Sequence, residues 1–220
     1  MVNGAPSPGT ISPPPYGPCG FDAAAPQLLS GLGPGGPVIY TSDLNGPGVK
    51  ERLVRRLLAS LPGQKPDGAS GPGCLEVTAL GQPRLTLGGQ PGPAVSFSQA
   101  AGRIWAAMTS AGQVGVDVAL PWEFAEGYPM ARAFRPGELD WARPLSGDDT
   151  TRAAALLWAL KEAAVKALGV GFHLLDPLAV EVFHPTPWQG GVRVSVKAGG
   201  VLPAWARPQD GGWLALARDC

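Results

Sequence analysis

The segment WALKEAAVK (158–166) concentrates charge around a single carboxylate. The chain carries 17 lysines and arginines and only five are lysines, yet Lys161 and Lys166 stand on either side of Glu162. Lysine is a compact point charge, whereas arginine is a planar fork, and a solvated helix face would accept either. The choice of lysine therefore indicates a site that uses compact ammonium groups beside a carboxylate.

The same residues also fit an ordinary protein surface. Glu162 and Lys166 are four residues apart, in the order that favours an ion pair along a helix, and Trp158 lies one turn earlier on the same side. Lys161 points about 100° away around the helix. Asp117, in the strand-like segment QVGVDVAL, projects opposite to the valines and could simply face water. The residues alone leave both interpretations open.

Composition restricts the class of protein. The 220 residues are 45% hydrophobic and carry no net charge, whereas nucleic-acid-binding domains usually have a clear basic excess. Three widely spaced cysteines argue against a disulfide framework or a zinc site. The N-terminus lacks the regions of a signal peptide, and the longest apolar run, AAALLWAL (153–160), is too short to span a bilayer. We therefore expect a soluble cytoplasmic protein that binds neither nucleic acid nor membrane.

Hydrophobic periodicity predicts the elements of the first half of the chain. Residues 1–37 are rich in proline and glycine, which predicts an irregular arm. An amphipathic helix follows at 48–61, and Arg52, Arg55 and Arg56 lie on its outer face, where they could hold a phosphate or an acidic partner or simply be solvated. Strands are predicted at 37–44, 74–80, 84–87, 94–98 and 103–109.

In the second half, a long helix is predicted between strands. QVGVDVAL (113–120) is the clearest strand because its valines alternate with small or polar residues. A short helix near 126–134 and a turn at RPGE (135–138) precede the long helix at 147–168, for which Ser146 is a good N-cap. Three strands, LAVEVF, GVRVSV and GWLALA, complete the chain.

Both halves run from a strand into a helix and then into antiparallel-looking strands. This order predicts an α+β fold of two similar lobes related by a pseudo-two-fold axis, each a small, mostly antiparallel sheet packed against a long helix. We expect an arm at 1–37, an N-terminal lobe at 38–111 and a C-terminal lobe at 112–220 that carries the charged motifs. Ligands often bind where two lobes meet, so we expect the site there.

The spacing of two motifs resembles a known family. VGVD at 114–117 is followed after about 40 residues by WALKEAAVK at 158–166. This resembles the 4′-phosphopantetheinyl transferase superfamily, whose pattern is (V/I)G(V/I)D, a spacer of about that length and (F/W)xxKExxxK. The length of the chain is similar to that of the two-lobed, surfactin-synthetase-activating type. We expect this protein to act as a monomer.

The resemblance implies a reaction and a site. Coenzyme A would donate phosphopantetheine to a serine of an acyl or peptidyl carrier protein, and 3′,5′-ADP would leave. Asp117 and Glu162 would hold Mg²⁺, and Lys166 and Lys161 would face the phosphates. The serine would lose its proton to Glu162, to a metal-bound water or to Glu138, which lies in a segment, RAFRPGEL, that is similar to a functional segment of the family.

Three positions depart from the family pattern. By the resemblance, Ser98, Gln99 and Gln82 fall at coenzyme A-binding positions, but Gln99 replaces a histidine and Gln82 replaces a lysine. Ala119 replaces a second acidic residue, and Glu123 or Glu126 could substitute for it. An alternative is therefore a weakened or non-catalytic member that binds coenzyme A or a carrier protein.

Overall fold

The computed structural model describes residues 25–33, 36–62, 73–79 and 81–219, and it has the predicted α+β architecture. The helices and strands, in chain order, are β1 Gln27–Leu29, β2 Val38–Leu44, α1 Val49–Ser60, β3 Gly73–Val77, β4 Pro83–Leu87, β5 Gln90–Pro91, β6 Ala94–Ala100, β7 Arg103–Thr109, β8 Gln113–Ala119, a 3-10 helix Pro121–Phe124, α2 Met130–Ala133, α3 Pro136–Leu145, α4 Thr150–Ala167, a second 3-10 helix Pro177–Ala179, β9 Glu181–Trp188, β10 Gly191–Lys197, β11 Val201–Gln209 and β12 Gly212–Asp219. None of the described helices is long and apolar enough to cross a membrane.

The first sheet is antiparallel, with the strand order β1-β2-β7-β6, and α1 packs against it. The apolar stripe of α1 includes Leu53 and Leu57, which are buried in one cluster with Ile104 and Met108 of β7. The predicted helix at 48–61 is thus confirmed. Strand β1 lies in the segment predicted to be irregular, most of which is outside the described residues. A small sheet, β3-β4-β5, completes this part of the chain.

The second sheet is also antiparallel, with the order β8-β12-β11-β10-β9, and α4 lies across one face. Helix α4 approaches β8 closely enough that a side chain at Gly115 would collide with the backbone of Ala163 and Ala167. Glycine at this position therefore allows the motif VGVD and the motif WALKEAAVK to pack against one another.

Strand β8 alternates as predicted, and its two faces serve different purposes. Val116 and Val118 point into a cluster that includes Trp105 of the first sheet, whereas Gly115, Asp117 and Ala119 face α4. The outer N–H groups of Val116 and Val118 donate to the hydroxyls of Ser96 (3.1 Å) and Ser98 (3.2 Å) on β6. Two serine side chains thus join the edges of the two sheets.

The prediction was wrong around residues 135–150. RPGE does not form the predicted turn and instead begins helix α3. Pro136 suits the first helical position, and the Glu138 carboxylate accepts from the Arg135 N–H at 2.9 Å. Ser146 is buried at the end of α3. The N-cap of α4 is Asp149, whose carboxylate accepts from the N–H groups of Thr151 and Arg152.

The C-terminal prediction missed one strand. β11 lies between β10 and β12, so four strands follow α4 instead of three. Its prolines, Pro203 and Pro208, lack an N–H donor and disfavour a strand when the sequence is considered alone. The first sheet ends at Thr109 and the second begins at Gln113, but the lobe boundaries and the pseudo-two-fold relation stay predictions.

Candidate active site

A cleft of about 400 Å³ lies at the junction of the two sheets and α4. Five of the predicted site residues line it: Ser98, Gln99, Asp117, Glu162 and Lys166. Side chains from α1, β6, β8, α4 and the first 3-10 helix meet there. The structure thus brings together most of the residues to which the resemblance assigned a role.

Asp117 is at the centre of the polar contacts in this cleft. It is only 7% exposed although β8 is an edge strand, so it does not simply face water. Its Oδ1 accepts from the Ser98 hydroxyl at 2.9 Å and from the Lys166 ammonium at 2.6 Å. Lys166 also donates to the Val116 carbonyl at 3.2 Å. Asp117 is therefore held in one orientation, with its charge partly neutralised.

Glu162 lacks a comparable partner. Within the described residues its carboxylate makes no hydrogen bond or ion pair, because Lys166 contacts Asp117 instead. Burial raises the pKa of Glu162, the negative charge of Asp117 raises it further, and Lys166 lowers it in part. A half-buried and unpaired carboxylate beside a second carboxylate is a place where a cation would lower the free energy.

The chemistry of these oxygens fits a hard cation. Asp117 and Glu162 offer carboxylate ligands of the type that Mg²⁺ prefers, and Glu162 has unused hydrogen-bonding capacity. Among the described residues, no group of three or more potential ligands converges on one point. The site therefore suits an ion that takes few protein ligands and keeps water in its remaining positions.

Lys161 and Glu138 are not in the cleft. Lys161 is completely buried, and its ammonium donates to Glu138 Oε2 at 2.8 Å and to the carbonyls of Ala133 and Pro177, both at 3.0 Å. Glu138 also accepts from the Val182 N–H at 2.8 Å. This ion pair joins α3, α4 and the start of β9. The hydrogen bonds of both groups are directed away from the cleft. The geometry therefore does not support the expected roles of Lys161 as a phosphate ligand and of Glu138 as the base.

Burial affects the titration of Lys161. It lowers the pKa of the Lys161 ammonium, and the contact with Glu138 opposes that effect. The three acceptors around Lys161 replace the water that it loses on burial. We infer that Lys161 serves the packing of α4.

A smaller pocket of about 180 Å³ adjoins the cleft and contains Gln82. Lys50, Phe97 and Lys166 line both spaces. The Gln82 side chain contacts Gly169, where an added Cβ would lie 3.0 Å from it. The cleft and the pocket therefore meet at Lys50, Phe97 and Lys166.

Lys50 is a cleft residue that the sequence analysis missed. It lies at the start of α1, and its ammonium is 5.4 Å from the centre of the Phe97 ring. The arginines of the same helix were the predicted candidates, but Arg52 and Arg56 contact Asp43, at 3.8 and 3.4 Å, and do not line the cleft. The one available signal was that Lys50 is another of the five lysines.

The structure distinguishes the two glutamates after β8 that could substitute for an acidic residue at position 119. Glu123 and Glu126 are both exposed, but Glu123 lines the cleft and Glu126 does not. Ala119 is 1% exposed and packs in the core beneath α4 together with Phe124. Ala119 therefore leaves no oxygen at its position, and Glu123 approaches the cleft from the following turn.

Comparison with known families matches residues 113–205 to the 4′-phosphopantetheinyl transferase superfamily. Comparison with curated proteins found no match. The matched segment begins at β8 and includes Asp117, Glu162 and Lys166, whereas Lys50 and Ser98 precede it. It covers less than half of the 220 residues. The segment that carries the central carboxylates of the cleft thus matches a superfamily of transferases for the 4′-phosphopantetheinyl group.

Proposed function

We propose that this protein transfers 4′-phosphopantetheine from coenzyme A to a serine of an acyl or peptidyl carrier protein. The observation that carries the proposal is the meeting of Asp117, Glu162 and Lys166 in one cleft, although the first two are 45 positions apart in the sequence. A surface ion pair would not need a buried aspartate held by two donors. The family match covers these three residues.

The positive charges that line the cleft and the adjoining pocket suit coenzyme A. This donor is long and has a diphosphate near its middle, and the lysines lie where the cleft joins the neighbouring pocket. Lys50 and Lys166 can supply positive charge to phosphate oxygens there. All of these residues come from one chain, which supports our expectation that a single copy is sufficient.

In the proposed reaction, the carrier serine oxygen bonds to the phosphorus that bears pantetheine, and the bond from that phosphorus to 3′,5′-ADP breaks. Asp117 and Glu162 would hold Mg²⁺, which supplies positive charge to the diphosphate as the leaving group departs. Ser98 and Lys166 fix the orientation of Asp117. Of the two carboxylates considered as the base, only Glu162 lines the cleft.

Mass spectrometry of apo-carrier proteins, incubated with the protein, coenzyme A and Mg²⁺, tests the proposal. We expect the carrier to gain the mass of phosphopantetheine. Glu162→Gln should reduce the rate by roughly a hundredfold or more, since the ion would contribute several kcal/mol. In buffer without metal this variant should be no less stable than the wild type, because it removes an unpaired charge. No gain in mass with acyl and peptidyl carriers alike would contradict the transferase.

One observation favours binding without transfer as the second candidate. Gln99 and Gln82 can donate hydrogen bonds to a phosphate but bring no positive charge, so Lys50 and Lys166 are the cations that line the two spaces in the described part of the chain. A protein of this kind would bind coenzyme A in a calorimetric titration while the carrier mass stayed unchanged.

A further inference from the structure

Glu123 is held at the wall of the cleft by the turn that follows β8. The 3-10 helix Pro121–Phe124 is anchored by Phe124, which is buried and contacts the rings of Phe134 and Trp158 at centroid distances of 6.0 and 6.2 Å. Glu123 directly precedes this anchor and lines the cleft together with Asp117 and Glu162. Its backbone position is thus fixed by the core although its side chain reaches solvent.

The carboxylate of Glu123 keeps one oxygen available. Its Oε2 accepts from the Leu120 N–H at 3.3 Å, and within the described residues its Oε1 has no hydrogen bond or ion pair. Burial raises the pKa of Glu123, the Leu120 N–H lowers it, and the negative charge of Asp117 raises it again. Glu123 and Asp117 line the same cleft, so their negative charges repel one another there.

The charges that line the cleft do not balance. Three carboxylates, Asp117, Glu123 and Glu162, face two ammonium groups, Lys50 and Lys166. Lys166 is paired with Asp117, and Lys50 lies over the Phe97 ring. No ion pair joins Glu123 or Glu162 to a lysine or arginine in the described part of the chain. Two carboxylates thus remain without a counter-charge at one site, which favours the binding of a cation.

We propose that Glu123 is a third acidic residue of the metal site and acts from outside the direct ligands Asp117 and Glu162. The inference rests on the proposed function, because that function requires the ion. The three carboxylates do not converge on one point among the described residues, so a direct third bond is not expected. Mg²⁺ usually keeps several waters in proteins, and the available oxygen of Glu123 can accept a hydrogen bond from this water.

The affinity of the full chain for Mn²⁺ tests the role of Glu123 without any activity measurement. Electron paramagnetic resonance measures the free ion and so gives the bound fraction. Glu123→Gln keeps the size of the side chain and removes its charge. We expect it to weaken Mn²⁺ binding roughly tenfold, as is typical when a residue that supports metal ligands is lost. Glu126→Gln is the matched control, since it removes the same charge from an exposed residue three positions away, and it should leave binding unchanged.

The outcomes separate this inference from the proposed function. If the wild type binds Mn²⁺ and modifies a carrier while Glu123→Gln binds the ion as tightly as the wild type, the role of Glu123 is overturned and the transferase stands. Equal weakening by Glu123→Gln and Glu126→Gln would indicate a general charge effect and would also overturn it. If Mn²⁺ does not bind to the wild type, the metal site is refuted together with Glu123. Thermal unfolding of both variants shows whether each is folded.

Discussion

At the scale of single residues, the motif WALKEAAVK divides its lysines between two tasks. Lys166 extends over β8 to contact Asp117, whereas Lys161 is enclosed between α3, α4 and the start of β9. Helical periodicity predicts that these side chains point in different directions, but it does not say what covers each face. Because RPGE was predicted to be a turn, no helix was expected above Lys161, and its burial could not be foreseen.

The pairing of Lys161 leads to a prediction about stability. Lys161→Met keeps most of the side-chain volume but leaves Glu138 buried without its ammonium partner. We expect a decrease of about 3–5 kcal/mol in the free energy of unfolding, the usual effect of breaking a buried pair. Chemical denaturation of the metal-free protein measures it. Lys50→Met, at an exposed position, is the control and should change the free energy by less than about 0.5 kcal/mol. A Lys161→Met variant as stable as the wild type would contradict the packing role.

At the scale of elements, the approach of α4 to β8 determines whether the site forms. Gly115→Ala would place a methyl group against the carbonyl of Ala163 and push α4 away from β8. We expect a loss of about 1–3 kcal/mol in the free energy of unfolding, as for other overpacked cores. Transfer should fall as well, because Glu162 and Lys166 would move away from Asp117.

The matched control for this change is Gly137→Ala in α3. No atom lies within 4 Å of a Cβ added there, and the residue is helical, so stability should be unchanged or slightly higher. Denaturation curves of the two variants measure the difference. Equal stability of Gly115→Ala and Gly137→Ala would show that the helix does not need glycine beneath it.

The N-terminus of α4 gives a prediction about pH. Hydrogen bonds from the hydroxyl and N–H of Thr151 and the N–H of Arg152 hold the pKa of Asp149 below its usual value. A carboxylate with a lowered pKa stabilises the fold above its unfolded pKa and loses that contribution as the pH falls through its folded pKa. Asp149→Ala should therefore cost about 1 kcal/mol near pH 7, and the difference should disappear in acid.

Asp148→Asn serves as the comparison for Asp149. It removes a neighbouring charge, and asparagine tolerates the positive φ of 59° at this exposed position. Its stability should follow that of the wild type across the same pH range in thermal unfolding experiments. A difference between Asp149→Ala and the wild type that persists unchanged at low pH would argue against the cap.

Most elements could be predicted from the sequence, and the misses share a cause. Strand β8 and helix α1 have clean periodicities of two and 3.6 residues, which depend on one buried face. Pro144 inside helix α3 and the two prolines of strand β11 locally disfavour these elements, and only tertiary packing makes up for this. The meeting of Asp117 and Glu162 was implied by the resemblance to the transferase superfamily, whereas Lys50 comes from a distant helix whose position no local pattern reveals.

At the scale of the whole molecule, the cleft depends on both sheets. Lys50 and Ser98 come from elements of the first sheet and its helix, whereas the carboxylates come from β8, α4 and the turn between them. If coenzyme A fills the cleft, Lys50→Ala should weaken its binding about three- to tenfold, the effect of losing one charge-assisted contact. Calorimetric titration measures this. Lys197→Ala, at an exposed position on β10, should bind as the wild type does, and identical affinities for both variants would place coenzyme A elsewhere.

The hydroxyls of Ser96 and Ser98 have a consequence for solubility. An edge strand with unpaired N–H groups is a template on which other chains can add strands and aggregate. In β8 the outer N–H groups of Val116 and Val118 are instead occupied by serines from β6. The first sheet thus covers the hydrogen-bonding edge of the second sheet. A fragment that began at Gln113 would keep the central carboxylates but would expose the valine-rich edge strand β8. We expect this fragment to self-associate even if the core between the second sheet and α4 forms.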